Sequence, residues 1–246
     1  MDSDKSYRLS SNRSQSRSQR LTRVGWRGSL GSLLLAAAVS GLSCPSNVPT
    51  PGGSTPGATN DANLAFRRPV ILPDDHVLGD AAATLVVVQY EEYQSQDCGK
   101  FARDDFAAFR TQYIDAGKVR WVFRQFPQSG DTRAQPAATA AECANDQGHF
   151  FDYRDLVYAT VDSSNKTILT DAQLQANAAT LGLDTVEFNA CFAGDSKDAR
   201  VQQDVDTATA LGLTTVPTFV VGTETVSNPT TPDQLTKIID RHLANQ

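Results

Sequence analysis

Apolar and polar positions along the chain alternate between two regimes. From Ala83 to Tyr93 the sequence reads ATLVVVQYEEY. Its continuous core of β-formers suits a strand buried on both faces. From Ser95 to about Ala116 the pattern changes: Cys98, Phe101/Ala102, Asp105/Phe106, Phe109 and Tyr113 recur at helical spacing, and Gly117 fits a C-cap. KVRWVFRQFP, residues 118–127, returns to a strand and is ended by Pro127. Strand, helix and strand within about 45 residues predict a βαβ unit with a parallel pair.

The middle of the chain is helical. RAQPAATAAECAND, GHFFDYRDLVYATV, TDAQLQANAATLGL and DTVEFNACFAG each carry an apolar face and reasonable caps. A further helix is predicted over about 196–210. Thr218 to Val221 read as a strand begun by Pro217, and Thr231 to Asn245 as a closing helix with Thr231 at its N-cap. TETVSN, between them, contains a turn or the end of a strand. The predicted plan is α/β: βαβ, then a block of helices, then ββα.

The first 66 residues obey neither regime. Residues 29–44, SLGSLLLAAAVSGLSC, form an apolar run shorter than the ~20 residues a spanning helix needs. Before it stand Lys5, Arg8, Arg13, Arg17, Arg20, Arg23 and Arg27 against Asp2 and Asp4, a balance of +5 over residues 1–43. A basic start, a short apolar run and small residues before a cysteine form an export signal. Its end is similar to a bacterial lipoprotein signal, which implies that Cys44 is lipidated. Leu42 stands two before the cysteine and Gly41 three before, a departure that keeps ordinary cleavage and an uncleaved anchor open. Residues 44–66, rich in Pro, Gly, Ser, Thr and Asn, are expected to be a flexible tether, because they bury too little surface to repay their ordering entropy. Residues 67–246 are long enough for one well-cored domain.

Charge narrows the function classes. The whole chain is formally −6, so the part after residue 43 is −11. An acidic domain does not suit nucleic-acid binding, which needs a basic surface. His76, His149 and His242 are far apart with no ligand spacing, so no metal site is expected. No Gly-rich phosphate loop or dinucleotide fingerprint occurs, and no cofactor is expected.

Several pieces together resemble a known family. DDHVLGDAAATLVVVQYEEYQSQDCGKFARDDF, KVRWVFRQFP, AAECANDQGHFFDYRDLVYA and ALGLTTVPTFVVG resemble the DsbA-like branch of thioredoxin-fold proteins, over about residues 74–245. The resemblance implies a thioredoxin fold with a helical insertion at about 130–195. It also implies a C-x-x-C redox motif at the first helix N-terminus, and a cis-proline facing it, which falls at Val216-Pro217. These two residues are the expected substrate-binding edge.

The redox motif is degenerate. On the family pattern Ser95 takes the place of the first cysteine and Cys98 that of the second. A thiolate at a helix N-terminus attacks a substrate disulfide, and the inner thiol resolves the mixed disulfide. A serine hydroxyl forms no disulfide and is a weak nucleophile without an activating base. Ser95 therefore reads as an N-cap. Cys98, one turn inside and on the apolar stripe, reads either as an inert core thiol or as a functional single thiol; burial raises a thiol's pKa, and Asp97 beside it should oppose a second negative charge. The family resemblance implies a buried carboxylate six residues before the first cysteine. That place holds Gln89, which cannot titrate. The alternation of Glu91 and Glu92 is expected to turn at least one of them to solvent.

Cys143 and Cys191 both lie on apolar faces of the helical block. In an oxidising compartment they read as a structural disulfide, closing a loop of about 48 residues and worth at most ~4 kcal/mol by chain entropy. Two separate buried thiols are the other reading. Two functions follow: an envelope thiol–disulfide oxidoreductase that is attenuated or runs on one thiol, or a non-catalytic holdase or scaffold that binds extended polypeptide by strand addition. The expected partners are exported polypeptides or another envelope protein, with a membrane reached through lipidated Cys44.

Overall fold

The computed structural model describes residues 70–128, 132–161 and 169–246. The export signal of residues 1–43, Cys44 and the tether of residues 44–66 lie outside the described residues. The chain opens with a short strand, β1 (His76–Leu78), followed by β2 (Leu85–Glu91). A long helical stretch follows in four pieces: α1 (Gln96–Lys100), a π-helical turn (Phe101–Asp105), α2 (Phe106–Phe109) and a second π-helical turn (Arg110–Ile114). Then come β3 (Val119–Gln125), α3 (Ala134–Asp146), α4 (Phe150–Thr160), α5 (Asp171–Thr180), α6 (Thr185–Phe192) and α7 (Asp198–Ala210). The hairpin β4 (Thr218–Val221) and β5 (Glu224–Ser227) leads to α8 (Pro232–Ala244).

The five strands form one sheet in the order β1-β3-β2-β4-β5. β2 and β3 are parallel, as the βαβ pattern predicts, and the other pairs are antiparallel. Every residue of β2 is buried, which follows from its central place and its covering on both faces. This corrects the expectation for Glu91 and Glu92: both are buried, at 0% and 6% exposure. The alternation of a strand turns side chains to opposite faces, but neither face meets water here, and each acid has a protein partner.

The first helix also departs from the sequence reading, which took it as uniformly α-helical. Phe101 and Phe106 are five residues apart, and so are Phe109 and Ile114. A π turn bonds i to i+5 and brings such pairs onto one face. Phe101, Phe106 and Phe109 then all meet Trp121 of β3, with ring centroids 6.3, 5.8 and 5.7 Å apart. Gly117 ends the stretch at φ +68°, a left-handed conformation that glycine adopts without Cβ strain. Arg103 leaves this helix to donate to the carbonyls of Tyr158 and Val161 at 2.9 and 3.1 Å, placing a cation at the C-terminal end of α4.

Two smaller differences concern the ends of the domain. β1 carried no signal in the sequence reading, since three residues show no period. Thr231 does occupy the N-cap position of α8, but its side chain makes no capping hydrogen bond, and Pro232 starts the helix. Among the described residues, no helix is long and apolar enough to cross a membrane.

Candidate functional site

The site is assembled where β2 ends and α1 begins. Ser95 stands in extended conformation at the N-cap, and its hydroxyl accepts from the backbone N–H of Cys98 at 3.3 Å. This satisfies one of the donors that every helix start leaves unpaired. Cys98 has 0% exposure. Burial pushes its thiol far above the ordinary cysteine range, although the Ser95 hydroxyl and the Glu92 backbone pull the other way. Glu91 and Glu92 add to the upward push. The acid expected to do this was Asp97. Asp97 is instead exposed, and its carboxylate accepts from Asn228 Nδ2 at 2.8 Å.

Beneath the thiol lies a buried polar chain. Gln89 accepts from Trp121 Nε1 at 2.9 Å and donates to Glu91 Oε2 at 2.7 Å. Glu91 is paired with Arg154 of α4 through Nε at 2.6 Å and Nη2 at 2.7 Å. Arg154 is enclosed by the rings of Phe123, Tyr158 and Phe106, at 4.4, 5.0 and 5.3 Å from its guanidinium carbon. Burial alone would draw its pKa down, but the Glu91 carboxylate outweighs this and holds it above the ordinary arginine value. A carboxylate is therefore present under the site, two residues beyond Gln89, with both oxygens committed to a cation.

The Val216-Pro217 bond is cis. Val216 and Pro217 are both buried, and the carbonyl of Pro217 accepts from the N–H of Asn228 at 2.7 Å. A cavity of about 250 Å³ joins this edge to the first helix. Phe101, Pro217 and Leu235 line it with apolar surface, and Asp97, Lys100, Asp105 and Asn228 with polar groups. Burial raises the Asp105 carboxyl, against the opposing charge of Lys100. The structure thus brings Pro217 and the start of the helix that carries Cys98 onto one cavity wall.

The family model described as thioredoxin matches residues 72–241. The chain belongs to that family. Its fold is that of DsbA-type thiol–disulfide oxidoreductases. Alpha-DsbA1 of Wolbachia pipientis is 26% identical, with a TM-score of 0.64 over 72% of this chain and 94% of that one. BdbD of Bacillus subtilis, in its oxidised form, is 21% identical with a TM-score of 0.64, covering 69% of this chain and 93% of that one, a likeness of fold. The chain is also 36% identical over 151 residues to the Na+/H+ antiporter NhaA 3 of Salinispora tropica. That match takes in 61% of this chain and 22% of the antiporter, so the chain spans less than a quarter of that relative's length.

The remaining sequence candidates of this DsbA-like chain lie away from the cavity. Cys143 of α3 and Cys191 of α6 are bonded to each other, with Cα atoms 5.8 Å apart. Among the described residues, Cys98 is the free cysteine. The three histidines are in three places, each beside its own carboxylate: His76 with Glu142, His149 with Asp152 and His242 with Glu224. Among the described residues, no three His, Cys, Asp or Glu side chains are gathered as a metal site. The sequence reading missed Arg154. Its signal was a cation inside the apolar face formed by Tyr153, Val157 and Tyr158, which only a buried acid would balance.

Proposed function

We propose that this DsbA-like protein is exported and holds extended polypeptide at the Pro217 cavity, without two-thiol disulfide exchange. The observation that carries the reading is Cys98. Exchange needs an attacking thiolate at the helix N-terminus and a second thiol to release the mixed disulfide. Here a hydroxyl occupies the first position, and the remaining thiol has 0% exposure and is pushed far toward its protonated form. A protonated, enclosed thiol is a poor nucleophile toward a disulfide arriving from outside. The cavity does not depend on it. Phe101 and Pro217 form its buried floor, and Asp97, Lys100 and Asn228 offer charged and polar groups at its exposed wall. Clients are exported polypeptides or another envelope protein, and Cys44 supplies a lipid anchor.

The test uses the full chain and an unfolded client offered in a disulfide-bonded and in a cysteine-free form, each captured with and without reductant. The expected outcome is capture that reductant and Cys98→Ala leave unchanged, and that Lys100→Glu, at the exposed wall of the cavity, reduces. Capture that vanishes with reductant and with Cys98→Ala would instead establish a single-thiol oxidoreductase. The unmodified chain should neither oxidise nor reduce a model dithiol, whereas Ser95→Cys, given oxidised glutathione, should close a disulfide with Cys98 as two reduced glutathiones leave, read as the loss of two hydrogens by mass. Turnover of the dithiol by the unmodified chain contradicts the reading. Fatty-acid labelling that is lost in Cys44→Ser tests the anchor.

A further inference from the structure

On the Tyr90 face of β2 and β3, away from the cavity, Asp75, Arg124, Arg200 and Asp204 pack together, and the His76–Glu142 pair stands at the β1 edge, on the Phe123 face. Asp75, in the turn before β1, accepts from Arg124 of β3 through Nε at 2.9 Å and Nη2 at 2.8 Å. Asp204 of α7 accepts from Arg200 Nη1, one turn earlier, at 2.5 Å, and from the backbone N–H of Gln125 at 2.8 Å. Arg200 also lies 3.7 Å from Asp75 and donates to the carbonyl of Asp74. Glu142 of α3 holds His76 of β1, with Nε2 at 2.9 and 3.1 Å from its two oxygens. The side chains of Asp75 and Asp204 are 0% exposed, and that of Glu142 is 3% exposed.

Cations in this cluster are shared. Asp75 and Asp204 face the guanidiniums of Arg124 and Arg200, and Glu142 faces the His76 imidazole. Arg124 is committed to Asp75, the Tyr90 hydroxyl and the carbonyl of Val70. Arg200 is divided between Asp204, Asp75 and a carbonyl. Asp204 thus holds a buried charge against part of one guanidinium, and a buried charge that is incompletely paired is costly. Among the three acids, Asp204 is the one whose single close cation is shared with another carboxylate.

We propose that this cluster is a proton-linked clamp between α7 and the end of β3, in which Asp204 takes up a proton on mild acidification and α7 is then held more firmly. Burial pushes the Asp204 carboxyl up to about 6, against the pull of Arg200, the Gln125 N–H and Arg124. A carboxyl raised in the folded state binds its proton more tightly there than in the opened chain. Stability from this group is therefore complete below the ordinary carboxylate range and is lost as pH rises through about 6. A neutral carboxyl keeps an oxygen for the Gln125 N–H, so the link to β3 survives protonation. The other groups around Asp204 are Arg200 on its own helix and Arg124 on β3, both held cationic by neighbouring carboxylates, Asp75 before β1, and Tyr90 of β2, bonded to Thr207. The clamp reaches the site through the backbone after β3. Phe126 N–H is bonded to the Glu91 carbonyl and Gln128 N–H to the Glu92 carboxylate, each at 2.8 Å.

Amide exchange at Gln125 and through α7, measured on the full chain and on Asp204→Asn at pH 7.5 and 5 and corrected for intrinsic rates, tests the clamp. Asparagine keeps the acceptor and removes the titration. The opening constant of the wild type relative to the variant should fall about tenfold on going from pH 7.5 to 5. A ratio that is flat or rises on acidification overturns the proposal. If the variant does not fold, carbon-13 titration of the Asp204 carboxyl in the wild type decides. A midpoint near 6 supports the clamp. A midpoint in the ordinary carboxylate range, or a proton taken by the His76 ring while Asp204 stays ionised, overturns it.

Discussion

The two faces of β2 and β3 each bury ionic groups, and they do so by opposite rules. On the cavity face one acid meets one base: Glu91 and Arg154 form a bidentate pair enclosed by aromatic rings. On the far face Asp75 and Asp204 share the guanidiniums of Arg124 and Arg200. The first arrangement matches one acid to one base in a closed bidentate pair. The second has an acid whose proton is near its point of release. The pair therefore fixes geometry, whereas the cluster responds to the medium. Family chemistry would place a titrating group under the cavity. In this chain that place holds Gln89, and the fully buried carboxyl pushed up to about 6, Asp204, sits on the opposite face, under α7.

The largest test of this contrast is to break the neutral pair. Arg154→Met leaves Glu91 buried and alone, and should cost about 3–5 kcal/mol in urea unfolding at neutral pH. Adding Glu91→Gln should recover much of that loss, because no uncompensated charge remains. Equal stability of the single and double variants would show that Arg154 acts by packing instead of by charge. Removal of the Cys143–Cys191 bond by a double change to alanine comes next, at about 2–4 kcal/mol. This bond joins α3 to α6 and does not touch the sheet, so its loss should leave the Asp204 titration near 6 unmoved. A displaced titration would couple the helical block to the clamp. The smallest effect is expected at the mouth of the site: Ser95→Ala removes a capping acceptor and should cost about 1 kcal/mol. A much larger loss would give Ser95 a role that its one hydrogen bond does not explain.

What the sequence disclosed follows the range of its signals. β2, β3 and the helices of the middle block were legible because each is a local period of apolar residues. The pairing of Ser95 with Cys98 was legible because both lie in one helical turn. The cis bond at Pro217 and the thioredoxin plan came through the resemblance, not through local pattern. The burial of Glu91 and Glu92 was not legible, since it depends on Arg154, 63 residues after Glu91, and on the backbone of Gln128. The same holds for Asp75, whose partner Arg124 is 49 residues away. Charged residues report their surroundings only when the partner is known. The π turns escaped because a stripe spaced by three, four and five residues still reads as helical when each position is given as a pair.

Those π turns also bear on how long this part of the chain must be. Each amounts to one residue inserted into an α-helix. Phe101 and Phe106 would share a face with one residue fewer between them, by ordinary i to i+4 geometry. Removing exposed Asp104 should therefore convert the first π turn to α-helix and keep Phe106 against Trp121, where a deletion in a helix normally rotates everything after it out of place. The helix behind the site has room to shed a residue without losing its register on the sheet, and relatives of different length at this point are expected to share the same three aromatic contacts.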